Sequence, residues 1–452
     1  MLTRVLRSPS SLGPAAGVLA GDVPSSRSVL ADAFWSALFR CAIAGGGLGL
    51  AVVLVRTLGP ERSGVFYLAF SFVTIGSTLG QAGMNNLLAR RMARAEALGG
   101  AGSSAVTFAS ARRTALAASA GIAAAVVLGA PWLAVGLCGE PALVSPLRIL
   151  ALAIPSLSVA LVSGEALKGM GRPLLSQLFQ VGAVPIVALA LVPVAVPRFG
   201  IAGAAGAFAL AAFLAASTSL YVVRKLLPGG RSASAHHAAS DPGAARSMLL
   251  LAVTGVLAVR LGPILVGALD SSRAVVELEV GLRLVMIANL VLVGVNSAMA
   301  PRFAALHAQG RRSELERAAR VTARLSCALV LPYLLAVCVL HGTLLTILGL
   351  DFPSAGALFL ALAFGEAVNA LTGPATLVLL MGGGERRVRD TAVAATLLNG
   401  ALCYALVPLC GALGAALGAA GGTALLNLGS VFWCKRLFDV CTLPFGWRRR
   451  RA

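Results

Sequence analysis

The chain has 452 residues, 58% of them hydrophobic and 12% charged, with a mean hydropathy of +0.89 and a formal net charge of +20. A soluble domain carries about 25% charged residues, so the composition excludes an ordinary soluble protein and points to a polytopic membrane protein. The excess of cations then reads as basic loops retained on one side of a bilayer, and no nucleic-acid partner is needed to explain it.

Residues 1–32 read as a cytoplasmic tail, because the apolar stretch 12–20 is short and is broken by Gly13 and Pro14. A first span is expected at about 33–56, carrying Arg40 and the run Gly45-Gly46-Gly47, and a second at about 64–88, ending before Arg90 and Arg91. A third lies at about 113–130, followed by an outer loop over 131–146 with no basic residue. The fourth, about 147–168, starts beside Arg148 and is bent by Pro155. The fifth and sixth follow at about 174–195 and 199–223. A polar linker at 228–246, PGGRSASAHHAASDPGAAR, divides the chain. Spans seven and eight are expected at about 247–268 and 278–300, then a basic loop at 302–320. Spans nine to twelve are expected at about 322–348, 354–381, 388–409 and 412–434, before a basic tail at 437–452. Each apolar run of about 20 residues matches a ~30 Å hydrocarbon core.

Charge counting sets the topology. With both termini cytoplasmic, 29 of the 37 Lys and Arg fall in inner segments, four in outer loops and four in or beside spans. A repeat runs alongside this asymmetry. MNNLLARRMA (84–93) aligns with VNSAMAPRFA (295–304) at an offset of 211, pairing Asn85 with Asn296 and Arg91 with Arg302. At the same offset Arg62 falls on Arg273, Met170 on Met381 and Gly171 on Gly382. The expected fold is therefore all-α, with about twelve transmembrane helices in two bundles of six, 33–227 and 247–436. An even number of spans per half makes the repeat parallel, with a cavity between the bundles that suits alternating access.

The charges inside the spans carry the functional reading. Arg40, Arg260 and Arg283 lie within apolar runs, and Arg148 lies nearer an outer edge. A guanidinium at the bilayer centre costs about 2.5–3.5 kcal/mol on insertion scales, so each needs a partner or a wet cavity. One reading is structural, with Glu165, Glu277, Glu279 or Glu366 as counter-charge. The other is a cationic cavity for an anionic headgroup, formed by Arg40, Arg148, Arg260 and Arg283, because guanidinium forks fit phosphate oxygens. Glu366, in ALAFGEAVNALTGP, is either a proton carrier or the counter-charge of Arg260 or Arg283, and Glu279 is a further candidate for coupling or counter-charge. Asn85 and Asn296 read as inter-helix hydrogen-bonding residues at the inner ends of matching spans.

No catalytic or cofactor pattern emerges. The eight cysteines contain no C-x-x-C and the four histidines no H-E-x-x-H, so no metal is expected. Gly382-Gly383-Gly384 lacks the following Gly-Lys-Ser/Thr of a phosphate loop, and Gly414 and Gly418 read as a close-packing G-x-x-x-G. No cofactor and no enzymatic activity are expected.

Three stretches carry a family resemblance: RTLGPERSGVFYLAFSFVTIGSTLGQAGMNNLLARRMA (56–93), APRFAALHAQGRRSELERAARVTARL (300–325) and ALTGPATLVLLMGGGERR (370–387). They resemble the bacterial polysaccharide-biosynthesis flippases of the multidrug/oligosaccharidyl-lipid/polysaccharide exporter superfamily, over about residues 33 to 436. The resemblance implies two bundles forming a V in the bacterial inner membrane. It implies translocation of an undecaprenyl-pyrophosphate-linked oligosaccharide, with membrane lipids, a polysaccharide polymerase and glycosyltransferases as partners. The family's lumen is often cationic, which Arg40, Arg260 and Arg283 suit by character. Twelve spans and the lack of an arginine-bracketed first helix depart from the peptidoglycan-precursor flippases. Two alternatives stand beside this reading: a cation-coupled multidrug antiporter of the same superfamily, for which Glu366 speaks, and a membrane glycosyltransferase, ligase or polymerase, against which the short outer loops speak.

Overall fold

The structure, a computed structural model, describes residues 26–84, 87–97, 101–227, 242–348, 352 and 355–445. Among them the chain is helical throughout, with no strand. The helices are α1 (Ser26–Leu58), α2 (Pro60–Gly80), α3 (Leu87–Ala97), α4 (Ala101–Pro131), α5 (Val144–Ala151), α6 (Ala153–Gly169), α7 (Pro173–Gln177) and α8 (Ala183–Leu226) before the linker. After it come α9 (Pro242–Leu269), α10 (Ser272–Ala308), α11 (Arg312–Leu348), α12 (Ala355–Thr372), α13 (Ala375–Met381), α14 (Glu385–Cys410) and α15 (Ala412–Phe438). Among the described residues nine helices are long and apolar enough to cross a bilayer, and ten when α5 and α6 count as one bent span. The expected twelve is reached only by also dividing the 54-residue stretch Pro173–Leu226 and adding the shorter apolar helix Ala42–Leu58.

Glycine and proline place the breaks. Gly200 divides α8 with φ 55° and ψ −137°, and Gly411 separates α14 from α15 with φ 56° and ψ −132°. A side chain is strained in that region, so a helix turns there only on glycine. The two glycines stand 211 residues apart, the offset of the sequence repeat, and Pro197 and Pro408 precede them at the same offset. In the α5–α6 pair the 47° bend falls at Leu152, not at Pro155 itself. Pro155 has no N–H to give the carbonyl of Ala151, so the ladder opens one turn earlier.

Several expected loops are helical. The outer loop at 131–146 contains a π-helical turn, Trp132–Leu137, and a 3₁₀ turn, Pro141–Leu143. The basic loop at 302–320 shrinks to a turn near Gly310, because α10 runs to Ala308 and α11 starts at Arg312. Residues of strong helix propensity, SELERAAR, fill the second part of that loop, and their cations lie on the face of α11. The linker ends earlier than expected, with α9 starting at Pro242. Part of the tail is packed: Thr442 donates to the Thr372 carbonyl at 2.8 Å.

Two ends of the bundle differ. At the end bearing Gly59, Gly200, Ser271 and Gly411, called here the far end, one core holds Leu54, Phe66 and Leu68 together with Val275, Leu278 and Leu284. Helices from both sides of the linker thus share it. At the basic end the cores are separate: Leu88, Met92 and Phe108 in one, Phe303, Leu306 and Val378 in the other. The two groups of helices are sealed at the far end and part towards the basic end, where an exposed ion pair, Arg90 to Glu385 at 3.0 Å, links them. The far-end seal is tight: a Cβ on Gly64 of α2 would collide with the Ser272 carbonyl of α10.

Candidate functional site

Arg260 lies nine residues from the far end of α9, and Arg283 eleven residues into α10. At 1.5 Å per residue both sit roughly 14–17 Å below that end, near the middle of a ~30 Å core. Helices α1, α2, α9 and α10 meet there. Glu279 lies one turn before Arg283 on the same face of α10, so the two are neighbours by helical geometry.

The three form one ionic cluster. Arg260 Nη1 donates to Glu279 Oε1 at 2.6 Å, and Arg283 Nε lies 3.7 Å from Glu279 Oε2. The Glu279 side chain is 3% exposed, and those of Arg260 and Arg283 are 15% and 16% exposed. With one carboxylate between two guanidinium groups, the cluster carries one net positive charge when all three are ionised. The N-terminal helices complete its shell. The Arg260 guanidinium stands 4.7 Å over the Phe70 ring and that of Arg283 5.0 Å over Tyr67, both on α2. Such cation–π contacts strengthen when desolvated. Arg283 Nη1 also donates to the Gly47 carbonyl of α1 at 2.8 Å.

Polar atoms with no hydrogen bond gather at the same place. Tyr67 Oη, Arg283 Nε and, one turn away on α2, Ser63 Oγ are buried and make no hydrogen bond among the described residues. An unsatisfied buried polar group costs about 1–3 kcal/mol, and each such group calls for an explanation. A cluster of them around two half-paired cations offers donors to an anion with several oxygens.

The other expected residues fall elsewhere. The Arg40 side chain lies outside the described residues, as does Asn85. Arg148 is exposed on α5 and is not joined to the cluster. Glu366 does not pair with Arg260 or Arg283: it accepts from Asn369 Nδ2 at 3.0 Å and bonds the Asn289 side chain. Glu279, of the four candidate carboxylates, is the one that reaches both arginines at once, from the helix it shares with Arg283. Glu165 accepts from Gln180 Nε2 at 3.2 Å and lies 3.8 Å from Lys168 Nζ. Glu277 lines a recess at the far end beside Asp270 and Arg273. Among the described residues no group of three His, Cys, Asp or Glu could hold a metal ion.

A family model described as polysaccharide biosynthesis protein matches residues 29–307, more than half of the chain. The chain belongs to this family. No curated protein matches it. Solved structures of transporters do. A MOP superfamily transporter from Pyrococcus furiosus Vc1 (DSM3638), described as having a binding pocket of reverse polarity, is similar with a TM-score of 0.70 and 14% identity, covering 95% of this chain and 99% of that one. A multidrug resistance MATE family transporter of the MOP superfamily is similar in its inward-facing conformation, with a TM-score of 0.69 and 14% identity over 88% of this chain and 94% of that one. The same description in an outward-facing conformation gives 0.64 and 14%, over 95% and 99%. At such identity the likeness carries the fold: this polysaccharide-biosynthesis family member is a multi-pass membrane protein with the architecture of MOP superfamily transporters.

Proposed function

We propose that the chain translocates an anionic lipid-linked oligosaccharide, of the undecaprenyl-pyrophosphate class, across the bacterial inner membrane by alternating access. Both termini face the cytoplasm, and 33–227 and 247–436 act as the two rocking units. The observation that carries this reading is the buried Arg260–Glu279–Arg283 cluster, one charge positive, at the seam between the two sets of helices. The seal at the far end and the parting at the basic end correspond to a state open to the cytoplasm. A diphosphate entering from that side displaces aromatic faces and a backbone carbonyl from the guanidinium groups, and gains the Tyr67 hydroxyl. Those groups are the ones that tie α1 and α2 to α9 and α10, so binding loosens the seam that must open next. The same reading makes the protein a transporter rather than an enzyme, supplied by glycosyltransferases and followed by a polymerase.

The second reading is a cation-coupled drug antiporter. It rests on Glu366, a half-buried carboxylate within α12 held by two asparagines and by no arginine, and on the likeness to MATE transporters.

Binding separates the two. Purified protein is heated with either a short-chain polyprenyl-pyrophosphate oligosaccharide or the cation ethidium. The flippase reading expects the anionic lipid alone to raise the melting temperature, and expects Arg260→Gln with Arg283→Gln to remove the shift. Stabilisation by ethidium that Glu366→Gln abolishes supports the antiporter instead.

A further inference from the structure

The basic end of α11 carries a feature that the transport site does not use. Ser313, Glu316, Arg317, Arg320, Val321 and Arg324 line a recess of about 420 Å³. The three arginines recur at positions i, i+3 and i+7, so they form one stripe about 10 Å long on one helix face. Their hydrogen-bonding capacity is only partly used. Arg317 is exposed and makes no ion pair among the described residues. Arg320 gives Nη2 to Glu316 at 2.7 Å, while its Nε is buried without a partner. Arg324 gives Nε to the Pro444 carbonyl at 3.1 Å, which leaves its two terminal nitrogens. Three cations against one carboxylate leave a net positive recess.

Beside the arginine stripe the exposed surface of α11 turns apolar within one turn. Val321, Leu325 and Leu329 are 56%, 49% and 48% exposed, and Leu335 and Val339 continue the run towards the far end. The change from arginine to bare aliphatic surface marks the membrane boundary, with long cationic side chains at headgroup level and an apolar wall beneath them. A ligand that fits both parts is amphiphilic and anionic.

We infer that Arg317, Arg320 and Arg324 form a headgroup site for an anionic phospholipid, with the phosphate held by guanidinium forks and an acyl chain laid on Val321, Leu325 and Leu329. The site is peripheral to the cluster at Arg260, and it stands whichever substrate the transporter carries. It anchors α11, and through the bond from Arg324 to Pro444 the tail segment, to the lipid surface at the basic end.

Native mass spectrometry of the detergent-purified full chain tests this with dioctanoyl phosphatidylglycerol. Each arginine near a membrane surface is worth about a fivefold change in affinity. The tightest phosphatidylglycerol site of the unaltered protein should therefore weaken about fivefold in Arg317→Gln and vanish in the triple Arg317→Gln, Arg320→Gln, Arg324→Gln variant, with Arg389→Gln unchanged. Millimolar inorganic phosphate should not displace the lipid, and phosphatidylcholine should not bind there. If the triple variant fails to fold, Arg317→Gln decides, because that side chain is exposed and makes no ion pair among the described residues. Equal retention in Arg317→Gln overturns the site. Displacement by inorganic phosphate at equal concentration overturns the lipid and leaves a simple phosphate site.

Discussion

Arg283 Nη1 donates to the carbonyl oxygen of Gly47 at 2.8 Å, a bond between residues 236 apart that ties α10 to α1 at the depth of the buried ions. With the Tyr67 ring under the same guanidinium, it forms a clasp across the seam. Arg283→Gln removes both contacts. Its expected effect is a looser far end. Ser63, fully buried on α2 beside the seam, reports this when changed to cysteine: modification by a membrane-impermeant maleimide should rise several-fold in the Arg283→Gln background. An unchanged rate would mean that the clasp does not hold the seam.

Glu279 is the only carboxylate found in contact with Arg260 or Arg283 among the described residues. Breaking a buried ion pair by removing one partner costs about 3–5 kcal/mol. Glu279→Gln should therefore accumulate poorly in the membrane, and adding Arg260→Gln should restore much of the loss by removing a stranded cation. Wild-type abundance of Glu279→Gln alone would show that the two arginines need no counter-charge.

Glu366 behaves differently in this account. Its partners are the amides of Asn369 and Asn289, and a glutamine can keep hydrogen bonds to both. Glu366→Gln should match the parent in abundance within about 1 kcal/mol of stability, and it should leave oligosaccharide translocation intact. Loss of transport with normal abundance would favour proton coupling through this side chain.

The far end holds two cysteines with opposite expectations. Cys410 is exposed and Cys138 is buried. Burial first, and the neighbouring Glu140 carboxylate second, push the Cys138 thiol up to about 11. The thiolate is the reactive form, so Cys138 should stay unmodified at pH 7 and gain reactivity only as the pH approaches 11. Cys410 should react at pH 7 with an impermeant maleimide added to intact cells. If Cys410 reacts only after permeabilisation, the far end is cytoplasmic and the orientation is reversed.

Gly200 and Gly411 adopt a conformation that is costly for any other residue, by roughly 1–3 kcal/mol. Gly200→Ala and Gly411→Ala should each lower the melting temperature, and Gly411→Ala by more, because a Cβ there also meets Asp270 Oδ2 at 2.6 Å whereas at Gly200 nothing lies within 4 Å. A neutral substitution at either would show that the corresponding turn relaxes freely.

Much of this was legible in the residues. Apolar runs punctuated by Gly and Pro placed the helices, and the offset of 211 recurs in the paired breaks at Gly200 and Gly411 and in Pro197 and Pro408. Arg260 and Arg283 stood out because a charge in an apolar run needs a reason. Choosing Glu279 over Glu366 was also within reach, since the i, i+4 spacing of Glu279 and Arg283 places them on one helix face. The aromatic shell was not legible: Tyr67 and Phe70 reach the arginines only through the packing of α2 on α9 and α10, and no local pattern distinguishes them from core aromatics. Helix ends differ from expectation where charged residues of good helix propensity, such as those at 312–320, read as loop by polarity alone.

The seam that Arg260 and Arg283 line is the proposed path of an anionic lipid-linked oligosaccharide. Its most direct test uses proteoliposomes carrying a fluorescent polyprenyl-pyrophosphate oligosaccharide, with dithionite quenching to count the molecules that have crossed. Translocation is expected with the unaltered protein, with a loss of at least about tenfold in the Arg260→Gln, Arg283→Gln variant at equal protein content, and no uptake of a cationic dye under a proton gradient. Each lost decade corresponds to about 1.4 kcal/mol of transition-state stabilisation. Undiminished translocation by the double variant, or dye uptake without oligosaccharide transport, would contradict it.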